Sequence, residues 1–584
     1  MASKHFHNDP NHLVVAALRS LTKINPSVAV DEKHKIVYLK KPKSNQVSVI
    51  SGGGSGHEPA FAAYVGHGML SGAVAGSIFA SPSTVQIYQC LMRRVDNTQG
   101  VMVIVMNYTG DALHFGMAVE KCRAQGIKID MLVVGDDVGV GRAKSGRLGR
   151  RGIAGTVLVH KIACALAATG ASLDAVSNVA NLVSSNLVTV GASLAHVHLP
   201  GRALARDDFN ADDDIELGMG IHNEEGCRRL KTGLPGLVKE MLAQLLDTTD
   251  KDRAYVDIKP GEPTVLLINN LGGVSGLEFG CITDEVCSQL KNSYSLQPVR
   301  ILTGTFMSSL NGLGFSVSLL RLVDTGLESQ ISMLKLLDAP AQATGWSAAV
   351  QPSTWVDKVE DRQQPNEEAI GEFQSSNLTF NTSRAIKALE SGLVGLISAE
   401  PEITKYDTMV GDGDCGLCLK AGAEAVLAHI KKDRMSSDVA QFVSQIAYIV
   451  ESSMDGTSGA IYAIFLNSLA YSLSLQETPT LSRVTAEVWS NALKGALKSL
   501  GKYTPAQPGD RTLVDALQPF VEKMVETQDV VMAVAAARKG CESTRGMEAS
   551  LGRSVYVGGD DWKNCPDPGA AGLVEFLSGL ISGL

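Results

Sequence analysis

Gln46-Val-Ser-Val-Ile50 runs directly into Ser51-Gly-Gly-Gly-Ser-Gly-His57-Glu-Pro59. The first five residues form a short β-rich run, which is typical of a strand buried on both faces of an α/β sheet. The glycines then predict a strand-to-helix turn whose backbone N–H groups can hold a small polar or phosphorylated ligand, with His57 directed at it. The turn is not a P-loop, because no Gly-Lys-[Ser/Thr] follows, and it is not a dinucleotide fingerprint, because His57 replaces the last glycine. A tight turn without a ligand is the alternative interpretation.

Similar β-rich runs, separated by helical stretches, recur through the first 345 residues at 101–105, 131–134 and 265–268. This alternation predicts an α/β fold, in which ligands lie at the carboxyl ends of the strands. Asp111, in Met106-Asn-Tyr-Thr-Gly-Asp111, follows one such run and is either a functional acid or a helix N-cap. His222, in Glu216-Leu-Gly-Met-Gly-Ile-His222-Asn-Glu-Glu-Gly226, lies among glycines that indicate close backbone approach. A lone histidine is more often structural, so spacing alone does not make it a nucleophile.

Residues 346–380 are polar and lack sustained apolar periodicity, which is the composition of a linker. From residue 381 onward the pattern is helical, and no β-rich run of comparable quality intervenes. Amphipathic periodicity predicts about eight helices, near 383–398, 417–431, 438–454, 458–474, 483–500, 511–526, 529–541 and 568–582. The last third of the chain is therefore predicted to be an all-α bundle or barrel.

The loop expected between the first two of these helices reads Asp407-Thr-Met-Val-Gly-Asp412-Gly-Asp414-Cys-Gly416. Three carboxylates so close together suit Mg²⁺, which prefers oxygen ligands and leaves places for waters and phosphates. The glycines allow the tight backbone turn that brings the carboxylates together. The loop is not an EF-hand, because the twelve-residue spacing and the closing Glu are missing. A solvated acidic turn is the alternative, and a redox role for Cys415-Gly-Leu-Cys418 is a weaker interpretation.

The composition sets the general class of the protein. With 584 residues, 45% hydrophobic and 19% charged, the chain resembles an ordinary globular protein of several domain-sized units. Its net charge of −9 argues against nucleic acid or a membrane surface as the main partner. Ten scattered cysteines and an N-terminus without an apolar signal segment predict reduced thiols and a cytoplasmic location. The basic run at 142–151 lacks interleaved aromatics, so it predicts a solvated loop or an anion contact.

Taken together, these motifs resemble the two-domain, ATP-dependent dihydroxyacetone (glycerone) kinases over nearly the whole chain. The ordered set that carries the resemblance is Gly52-Gly-Gly-Ser-Gly-His-Glu-Pro59, Asn107-Tyr-Thr-Gly-Asp111, Gly218-Met-Gly-Ile-His222, Asn269-Asn-Leu-Gly-Gly273, Gly411-Asp-Gly-Asp-Cys-Gly416, Pro508-Gly-Asp-Arg-Thr512 and Asp567-Pro-Gly569. The fungal enzymes are the more similar, and the animal triokinase/FMN cyclase shares the architecture. The resemblance implies a dihydroxyacetone-binding domain of two α/β subdomains at 1–345, a linker at 346–380 and an ATP-binding all-α helical barrel at 381–584.

The resemblance also implies roles for single residues. His222 would hold the triose covalently as a hemiaminal, Asp111 would be the general base, and His57 would assist as acid or base. Gly54, Ser55 and Gly56 would line the substrate pocket together with His57 and Asp111. Asp407, Asp412 and Asp414 would carry two Mg²⁺ ions between the phosphates of ATP. The matching nucleotide-contacting positions are Asp414, Cys415, Gly416, Leu417, Thr457, Ser458, Thr512, Leu513, Arg553, Asp567, Pro568 and Gly569. The implied assembly is a homodimer in which each helical domain completes the partner's sugar site.

The sequence departs from the family pattern at several of these places. Met106 stands where a lysine is usual, Asp455 where a glycine is usual, and Leu417-Cys418 where threonine is favoured. Val555, in Gly552-Arg-Ser-Val555-Tyr, and the segment Asn311-Gly-Leu-Gly also differ. The histidines and aspartates assigned above are all retained, so we predict an active kinase whose rate or substrate preference these changes can alter.

Two other interpretations stay open. The chain could be a bifunctional triokinase/FMN cyclase, which would also release cyclic FMN from FAD at the metal site of its helical domain, using Mn²⁺. It could instead be a ligand-binding regulator built on the same fold and weakened at Met106 and Asp455. FAD turnover with Mn²⁺ tests the first, and product formation from ATP and dihydroxyacetone tests the second.

Overall fold

The computed structural model describes residues 4–202, 214–328, 331–347, 350–356, 373–432, 435–475, 482–551 and 561–584. The chain separates into two compact units, residues 1–360 and residues 361–584. The domain boundaries expected from the sequence, 345 and 381, lie on either side of that division. The first is the α/β unit and the second is the helical unit.

The α/β unit contains two six-stranded sheets. The first has the order β1-β2-β4-β3-β5-β6, and its last four strands are mutually parallel. The second has the order β11-β10-β12-β7-β8-β9, in which β10 and β11 are parallel and the other neighbours are antiparallel. The strands are β1 Val28–Asp31, β2 Ile36–Leu39, β3 Ser48–Ser55, β4 Gly72–Ile78, β5 Val101–Met106, β6 Ile129–Val134, β7 Leu187–Ser193, β8 Asp214–Leu217, β9 Arg228–Lys231, β10 Thr264–Asn270, β11 Arg300–Gly304 and β12 Gly314–Arg321.

Helices cover both outer faces of the sheets and fill the space between them. They are α1 Pro10–Ile24, α2 Thr84–Gln89, α3 Thr109–Arg123, α4 Arg142–Ser145, α5 Thr156–Ala168, α6 Leu173–Ser185, α7 Leu234–Leu246, α8 Gly276–Tyr294, α9 Met333–Asp338 and α10 Pro352–Val356. The central layer contains α5 and α6, while α2 and α3 cover the first sheet and α7 and α8 cover the second. In β5, for example, Val103 packs towards α3 and Ile104 packs towards α5. Burial on both faces explains why these strands are continuous apolar runs and do not alternate with polar residues.

The four strands predicted from the sequence are present as β3, β5, β6 and β10. The expected strand-to-helix turn at the glycines is wrong, because β3 continues to Ser55 and only a short 3₁₀ turn, Ala62–Tyr64, follows. A Cβ on Gly52 would lie 2.3 Å from the carbonyl oxygen of Val74 on the neighbouring strand β4. The glycines therefore allow two backbones to approach within the sheet, which is a different use of the same residue type.

The helical unit is a closed ring of eight helices within the described part of residues 373–584. Its elements are α11 Thr382–Val410, α12 Cys415–Lys432, α13 Val439–Ser453, α14 Gly456–Ser474, α15 Ala486–Leu500, α16 Val514–Thr527, α17 Val530–Ser543 and α18 Pro568–Gly583, with a two-residue strand pair, β13 Leu378–Thr379 and β14 Ser482–Arg483. Each helix packs on the next, and α18 packs on α11, which closes the ring. The all-α barrel expected from the sequence is therefore confirmed.

The main difference in the helical unit concerns its first helix. The helix expected near 383–398 continues through Pro401 to Val410. A proline inside a helix removes one backbone hydrogen bond but does not always end the helix. As a result, Asp407 lies in the last turn of α11, whereas Asp412 and Asp414 lie in the loop that follows.

Small residues allow α11 and α18 to approach closely. A Cβ on Gly579 would lie 2.6 Å from the carbonyl oxygen of Ser391, and a Cβ on Gly583 would lie 2.7 Å from the Cα of Ala388. Residue numbers rise along one helix as they fall along the other, so the pair is antiparallel. The C-terminal end of α11, with Asp407, therefore lies beside the N-terminal end of α18.

Apolar side chains of the helical unit face the inside of the ring. They enclose a cavity of about 760 Å³, whose lining includes Leu389, Leu419 and Phe465. The three aspartates of the acidic loop do not line it. In the parts of the chain described by the structure, no helix combines the length and the apolar character that crossing a bilayer requires.

Most of the basic run at 142–151 is exposed, in agreement with the expected solvated loop, but its arginines at 142, 150 and 151 also make specific contacts. The guanidinium carbons of Arg142 and Arg150 lie 4.1 Å and 4.2 Å from the ring centroid of Tyr255. Arg151 forms an ion pair of 2.7 Å with Asp137, which is buried. Stacking and pairing therefore hold these three guanidinium groups against the α/β unit, and Arg142 stays exposed to water.

Candidate active site

The residues predicted to bind the substrate meet where the carboxyl ends of the strands of the first sheet face loops of the second sheet. His57 follows β3, Asp111 lies in the first turn of α3 after β5, and His222 follows β8. Phe79, directly after β4, and Ser308, after β11, come to the same place. Five separate segments of the α/β unit therefore meet at one site, at the position where ligands bind in α/β folds.

The two histidines are in direct contact. His57 Nε2 lies 3.0 Å from His222 Nε2, and the ring planes are 82° apart. Phe79 stacks on His57 with ring centroids 5.2 Å apart, and it meets His222 edge-on at 5.1 Å. Tyr108 also meets His222 edge-on, at 4.6 Å. These aromatic contacts restrict the orientation of the His222 ring.

The second nitrogen of each histidine has its own partner. His57 Nδ1 lies 3.0 Å from the carbonyl oxygen of Ser308, and His222 Nδ1 lies 2.8 Å from Glu224 Oε1. Burial, assisted by the charge of His222, lowers the pKa of His57 to about 3. Burial alone would raise the pKa of Glu224, but the hydrogen bonds and charge of His222 outweigh it and lower that pKa to about 2. Near neutral pH, His57 is therefore neutral and Glu224 is a carboxylate.

Asp111 is 4% exposed, and its Oδ1 has no hydrogen-bond partner. The N-cap of α3 is Tyr108, so Asp111 is not the cap, which was one of its two expected roles. A Cβ on Gly53 would lie 3.5 Å from Asp111 Oδ2, so the carboxyl group lies against the glycines of β3. Burial raises the pKa of Asp111 to about 6, against the lowering effects of Ser81 and His222. A buried carboxyl group with an unpaired oxygen and a raised pKa is suited to accept a proton.

The expected pocket-lining residues Gly54, Ser55 and Gly56 form the end of β3 and the bend before His57. Gly56 has a φ of +101°, which favours glycine, and a Cβ there would lie 2.8 Å from the Phe79 ring. The Ser55 hydroxyl donates to the Gly76 carbonyl oxygen at 3.0 Å. That hydroxyl is therefore used inside the sheet, and the segment offers a ligand mainly its backbone.

Sequence reasoning missed several residues that position the histidines. Glu224 lies two residues after His222 in a segment that was singled out, and its His-x-Glu spacing was the signal that could have found it. Ser308 and Phe79 gave no local signal, because each reaches the pocket from a distant strand. Asn269, part of a motif that carried the resemblance, accepts hydrogen bonds of 2.8 Å from the backbone N–H groups of Phe306 and Met307. Its amide thus holds the segment that presents Ser308.

In the helical unit, Asp407, Asp412 and Asp414 come together. One carboxylate oxygen from each lies within 4.8 Å of the others. Asp407 is 8% exposed and accepts a 2.9 Å hydrogen bond from the backbone N–H of Cys415, whereas the other two are exposed. Gly413 has a φ of +80°, a left-handed conformation that lets the loop bend between them. A set of three carboxylates open to water on one side fits Mg²⁺, which binds oxygen and retains several waters.

The expected nucleotide-contacting residues lie at the N-terminal ends of four helices, at Cys415, Gly416 and Leu417 in α12, Thr457 and Ser458 in α14, Thr512 and Leu513 before α16, and Asp567, Pro568 and Gly569 at α18. Arg553 lies outside the described residues. Helix N-termini present unpaired N–H groups and partial positive charge, which favour phosphate. The same end of the ring also carries the acidic loop, because α11 ends there.

Individual contacts bring these helix ends together. Cys415 Sγ lies 3.7 Å from Ser458 Oγ, and a Cβ on Gly569 would lie 3.5 Å from the Cβ of Leu513. Burial, together with the nearby charge of Asp407, raises the pKa of Cys415 to about 12 against the lowering effect of the Ser458 hydrogen bond. Asp567 caps α18 by accepting from the N–H of Ala570 at 2.8 Å, and burial raises its pKa to about 7. The helical unit thus brings a cluster of carboxylate oxygens and the N-termini of four helices to one end of the ring.

The residues that depart from the family pattern differ in how far they are buried. Met106 is 1% exposed and packs in the core at the end of β5. Asp455 is the N-cap of α14 but makes no capping hydrogen bond, and its carbonyl oxygen accepts from Cys418 Sγ at 3.1 Å. Leu417 is exposed. Val555 lies outside the described residues. Asp455 therefore places a carboxylate at a helix end expected to bind phosphate.

Comparison with known proteins shows which family the chain belongs to. Residues 19–345 match the Dak1 domain and residues 409–582 match the DAK2 domain. A dihydroxyacetone kinase from Komagataella pastoris is 43% identical over 605 aligned residues, covering 99% of this chain and 98% of the relative. The chain belongs to the dihydroxyacetone kinase family. The triokinase/FMN cyclase of Bos taurus is 34% identical, covering 100% of this chain and 99% of the relative. Within the family, the fungal relative is thus more similar than the animal one, as expected.

Solved structures give the same result. The crystal structure of the C. freundii dihydroxyacetone kinase in its native form matches with a TM-score of 0.64 and 30% identity, covering 100% of both chains. Its complex with AMP-PNP and Mg²⁺ matches with a TM-score of 0.63, 30% identity and the same coverage. A dihydroxyacetone kinase operon co-activator, Dha-DhaQ, matches with a TM-score of 0.52 and 30% identity, covering 57% of this chain and 98% of its own. Both domains of this chain are therefore those of the two-domain dihydroxyacetone kinases.

Proposed function

We propose that this protein transfers a phosphoryl group from ATP to dihydroxyacetone, and also to glyceraldehyde, forming the triose phosphate. One observation carries the proposal: the same chain holds a His57–His222 pair beside a buried Asp111 and, in its helical unit, three clustered carboxylates beside helix N-termini. The first set suits a small carbonyl compound with a hydroxyl group, and the second suits a metal-bound polyphosphate. The names and full-length coverage of the family relatives support it.

In this proposal, His222 forms a covalent hemiaminal with the carbonyl carbon of the triose. Only a ketone or aldehyde can form that bond, so glycerol would be excluded by chemistry and not by size. His57 lies next to the reacting nitrogen and exchanges a proton with it. Asp111, with its free Oδ1, accepts the proton of the hydroxyl that attacks ATP. The backbone of Gly54–Gly56 lines the pocket.

In the helical unit, Asp407, Asp412 and Asp414 would hold Mg²⁺, as two ions. When bound, Mg²⁺ neutralises phosphate charge and orients the γ-phosphate, which is the main requirement of phosphoryl transfer. The N-termini of α12 and α14 would bind the phosphates through backbone N–H groups. The ends of α16 and α18, with Thr512, Leu513 and Asp567–Gly569, would hold the rest of the nucleotide.

We also propose a cytoplasmic homodimer in which the helical unit of one chain completes the sugar site of the other. The polar composition of residues 346–380 would permit such a reach. No nucleic acid or membrane takes part in this scheme.

Two variants separate the two halves of the proposed reaction. Intact-mass measurement after incubation with dihydroxyacetone should show a covalent triose on the wild type and on Asp412→Asn, but not on His222→Ala. Both variants should lose phosphorylation. His222→Ala lacks the group that holds the triose. Asp412→Asn lacks a direct metal ligand, so its activity should fall by at least the roughly 10- to 100-fold that loss of an outer-shell partner causes. Wild-type protein that binds the triose without making product would overturn the kinase proposal in favour of a regulator. The structural similarity between the α/β unit and the Dha-DhaQ co-activator would then support that alternative.

A second candidate activity is favoured by the full-length similarity to triokinase/FMN cyclase. The acidic loop would then also act on FAD, with Mn²⁺ at the same three aspartates, and release cyclic FMN. Incubation with FAD and Mn²⁺, followed by chromatography for cyclic FMN, tests this directly. A product that persists in His222→Ala but disappears in Asp412→Asn would support it, and absence of the product in the wild type would dismiss it.

A further inference from the structure

The hydrogen-bond partners around His57 and His222 define where the ring protons lie. The carbonyl oxygen of Ser308 can only accept, so His57 Nδ1 must carry a proton. Neutral His57 then has a lone pair on Nε2. His222 Nε2, 3.0 Å away, must donate to that lone pair. On the other side of the His222 ring, the Glu224 carboxylate can only accept, so His222 Nδ1 carries a proton as well.

These three hydrogen bonds are all satisfied when His222 carries a proton on both nitrogens. A charged imidazolium needs a nearby counter-charge when it is partly removed from water. Glu224 provides that charge and contacts the same residue twice, because its Oε2 also accepts from the backbone N–H of His222 at 2.9 Å. A group that fixes both the ring and its own backbone sets the direction in which Nε2 points.

We propose that Glu224 is a positioning residue for the carbonyl addition: its carboxylate keeps His222 protonated at Nδ1, directs Nε2 at the substrate, and balances the positive charge of the adduct. This inference rests on the proposed function. It extends the assigned site by a residue that does not touch the substrate but determines which nitrogen reacts.

The addition balances without any further reactant. The Nε2–H proton passes to His57 Nε2, and the freed Nε2 lone pair forms the bond to the carbonyl carbon. The π electrons of the C=O bond move to oxygen, and His57 returns the proton to that oxygen as a hydroxyl group. The net change is addition of N–H across C=O, with no change in the total number of protons. Because Nδ1 keeps its proton, the substituted ring is still a cation, and Glu224 still faces it.

The surroundings of Glu224 fit this role. A Cβ on Gly220 would lie 2.1 Å from Glu224 Oε2 and 2.7 Å from an Nη of Arg151, so both side chains pack against that glycine. Arg151 donates to the Gly218 carbonyl oxygen at 2.7 Å, and Gly220 N–H donates to the Glu224 carbonyl oxygen at 3.0 Å. The loop from Gly218 to Glu224 is thus held at both ends. Arg151 also places a fixed positive charge near the carboxylate, which favours its ionised form.

Glu224→Gln keeps the size of the side chain but removes its charge, and it is the first test. With dihydroxyacetone, the variant should form the covalent adduct with an affinity about 100-fold weaker, the upper end of the loss seen when a carboxylate that orients a metal-bound histidine is removed. The loss should appear in kcat/KM for the triose, while KM for ATP stays within about twofold of the wild type, because the nucleotide site lies in the helical unit. The matched control is Glu225→Gln, an exposed neighbour that should keep wild-type values.

Two further measurements separate positioning from a purely structural role. Formate added to Glu224→Ala should restore part of the adduct, since a small carboxylate can occupy the vacated place. Histidine-selective ¹⁵N spectra at neutral pH should show both His222 nitrogens protonated in the wild type and a change in Glu224→Gln, with His222→Ala identifying the signal. Full adduct formation and unchanged ¹⁵N signals in Glu224→Gln would overturn the inference, while a wild type without any adduct would overturn the proposed function itself.

Discussion

Asp111 and Glu224 are carboxyl groups of the same pocket, yet their surroundings move their pKa values in opposite directions. Burial dominates at Asp111 and raises its pKa to about 6. At Glu224, hydrogen bonds from His222 overcome burial and lower the pKa to about 2. Two carboxyl groups with separated pKa values can take separate roles, one exchanging a proton and the other keeping a fixed charge. The surroundings of Asp111 and Glu224, more than their residue types, therefore determine these roles.

The raised pKa of Asp111 predicts a pH dependence of catalysis. A base must be unprotonated, and a raised pKa means that Asp111 gains its proton at higher pH than an exposed aspartate does. We therefore expect kcat to fall about tenfold per pH unit below about pH 6. Asp111→Asn should remove this dependence and lower kcat by roughly 10²- to 10⁴-fold.

The matched control for this experiment is Glu120→Gln, an acidic residue on the exposed side of the same helix. It should leave both kcat and the pH profile unchanged. Initial rates of triose phosphate formation between pH 5 and pH 8 are the measurement. An acidic limb that survives in Asp111→Asn would show that another group is the base.

At the scale of secondary-structure elements, the contact between α11 and α18 connects the ring to the metal site. The two helices run antiparallel through Gly392, Gly395, Gly579 and Gly583. Their close approach puts the end of α11, with Asp407, next to the start of α18. We call this glycine-lined contact between α11 and α18 the seam. Packing at the seam therefore positions Asp407, which lies several turns away along α11.

Gly579→Val tests the seam. The added Cβ would lie 2.6 Å from the Ser391 carbonyl oxygen and 2.9 Å from the Cα of Gly392, so the helices must separate. We expect the free energy of unfolding of the helical unit to fall by about 1–3 kcal/mol, the usual cost of overpacking. Calorimetry on the full chain measures it.

Gly395→Ala is the control on the same seam, because its nearest contact would be 3.4 Å, to the Glu575 carbonyl oxygen. This variant should be neutral or gain about 0.5–1 kcal/mol from the higher helix propensity of alanine. Equal effects of the two substitutions would show that close approach at Gly579 does not limit the packing.

At the scale of the whole molecule, the proposed dimer makes a quantitative prediction. His222→Ala has an intact helical unit, and Asp412→Asn has an intact α/β unit. If the helical unit acts on the partner chain, a mixed dimer has one complete site. Random pairing of equal amounts of the two variants makes about half of all dimers mixed. Each mixed dimer has one complete site where a wild-type dimer has two, so about one quarter of the wild-type activity should return.

Coexpression of the two full-length variants, or subunit exchange between them, provides the mixture. Sedimentation of the wild type establishes whether a dimer is present at the assay concentration. Activity that remains at the level of the separate variants, despite a stable dimer, would show that each chain serves its own substrate site.

Much of the architecture was predictable from local patterns. Strands such as Val101–Met106 are buried on both faces, and that condition produces a continuous apolar run. The eight helices of the ring each bury one face, which produces a periodic pattern. The acidic loop was also predictable as a metal site candidate, because its three carboxylates are near neighbours in the chain. The end of α11 was not, since Pro401 is accommodated inside that helix.

The sequence by itself determined the two kinds of domain, their order, and the residue types available for chemistry, because burial and helix periodicity act over short stretches of chain. Only the tertiary structure decided that His57 and His222, which are 165 residues apart, come within hydrogen-bonding distance, and that Ser308 and Glu224 contact the other nitrogens of their rings. It also decided that the glycines of β3 bring backbones together and do not form a turn. Such contacts depend on which distant surfaces meet in the core, and no local pattern records that.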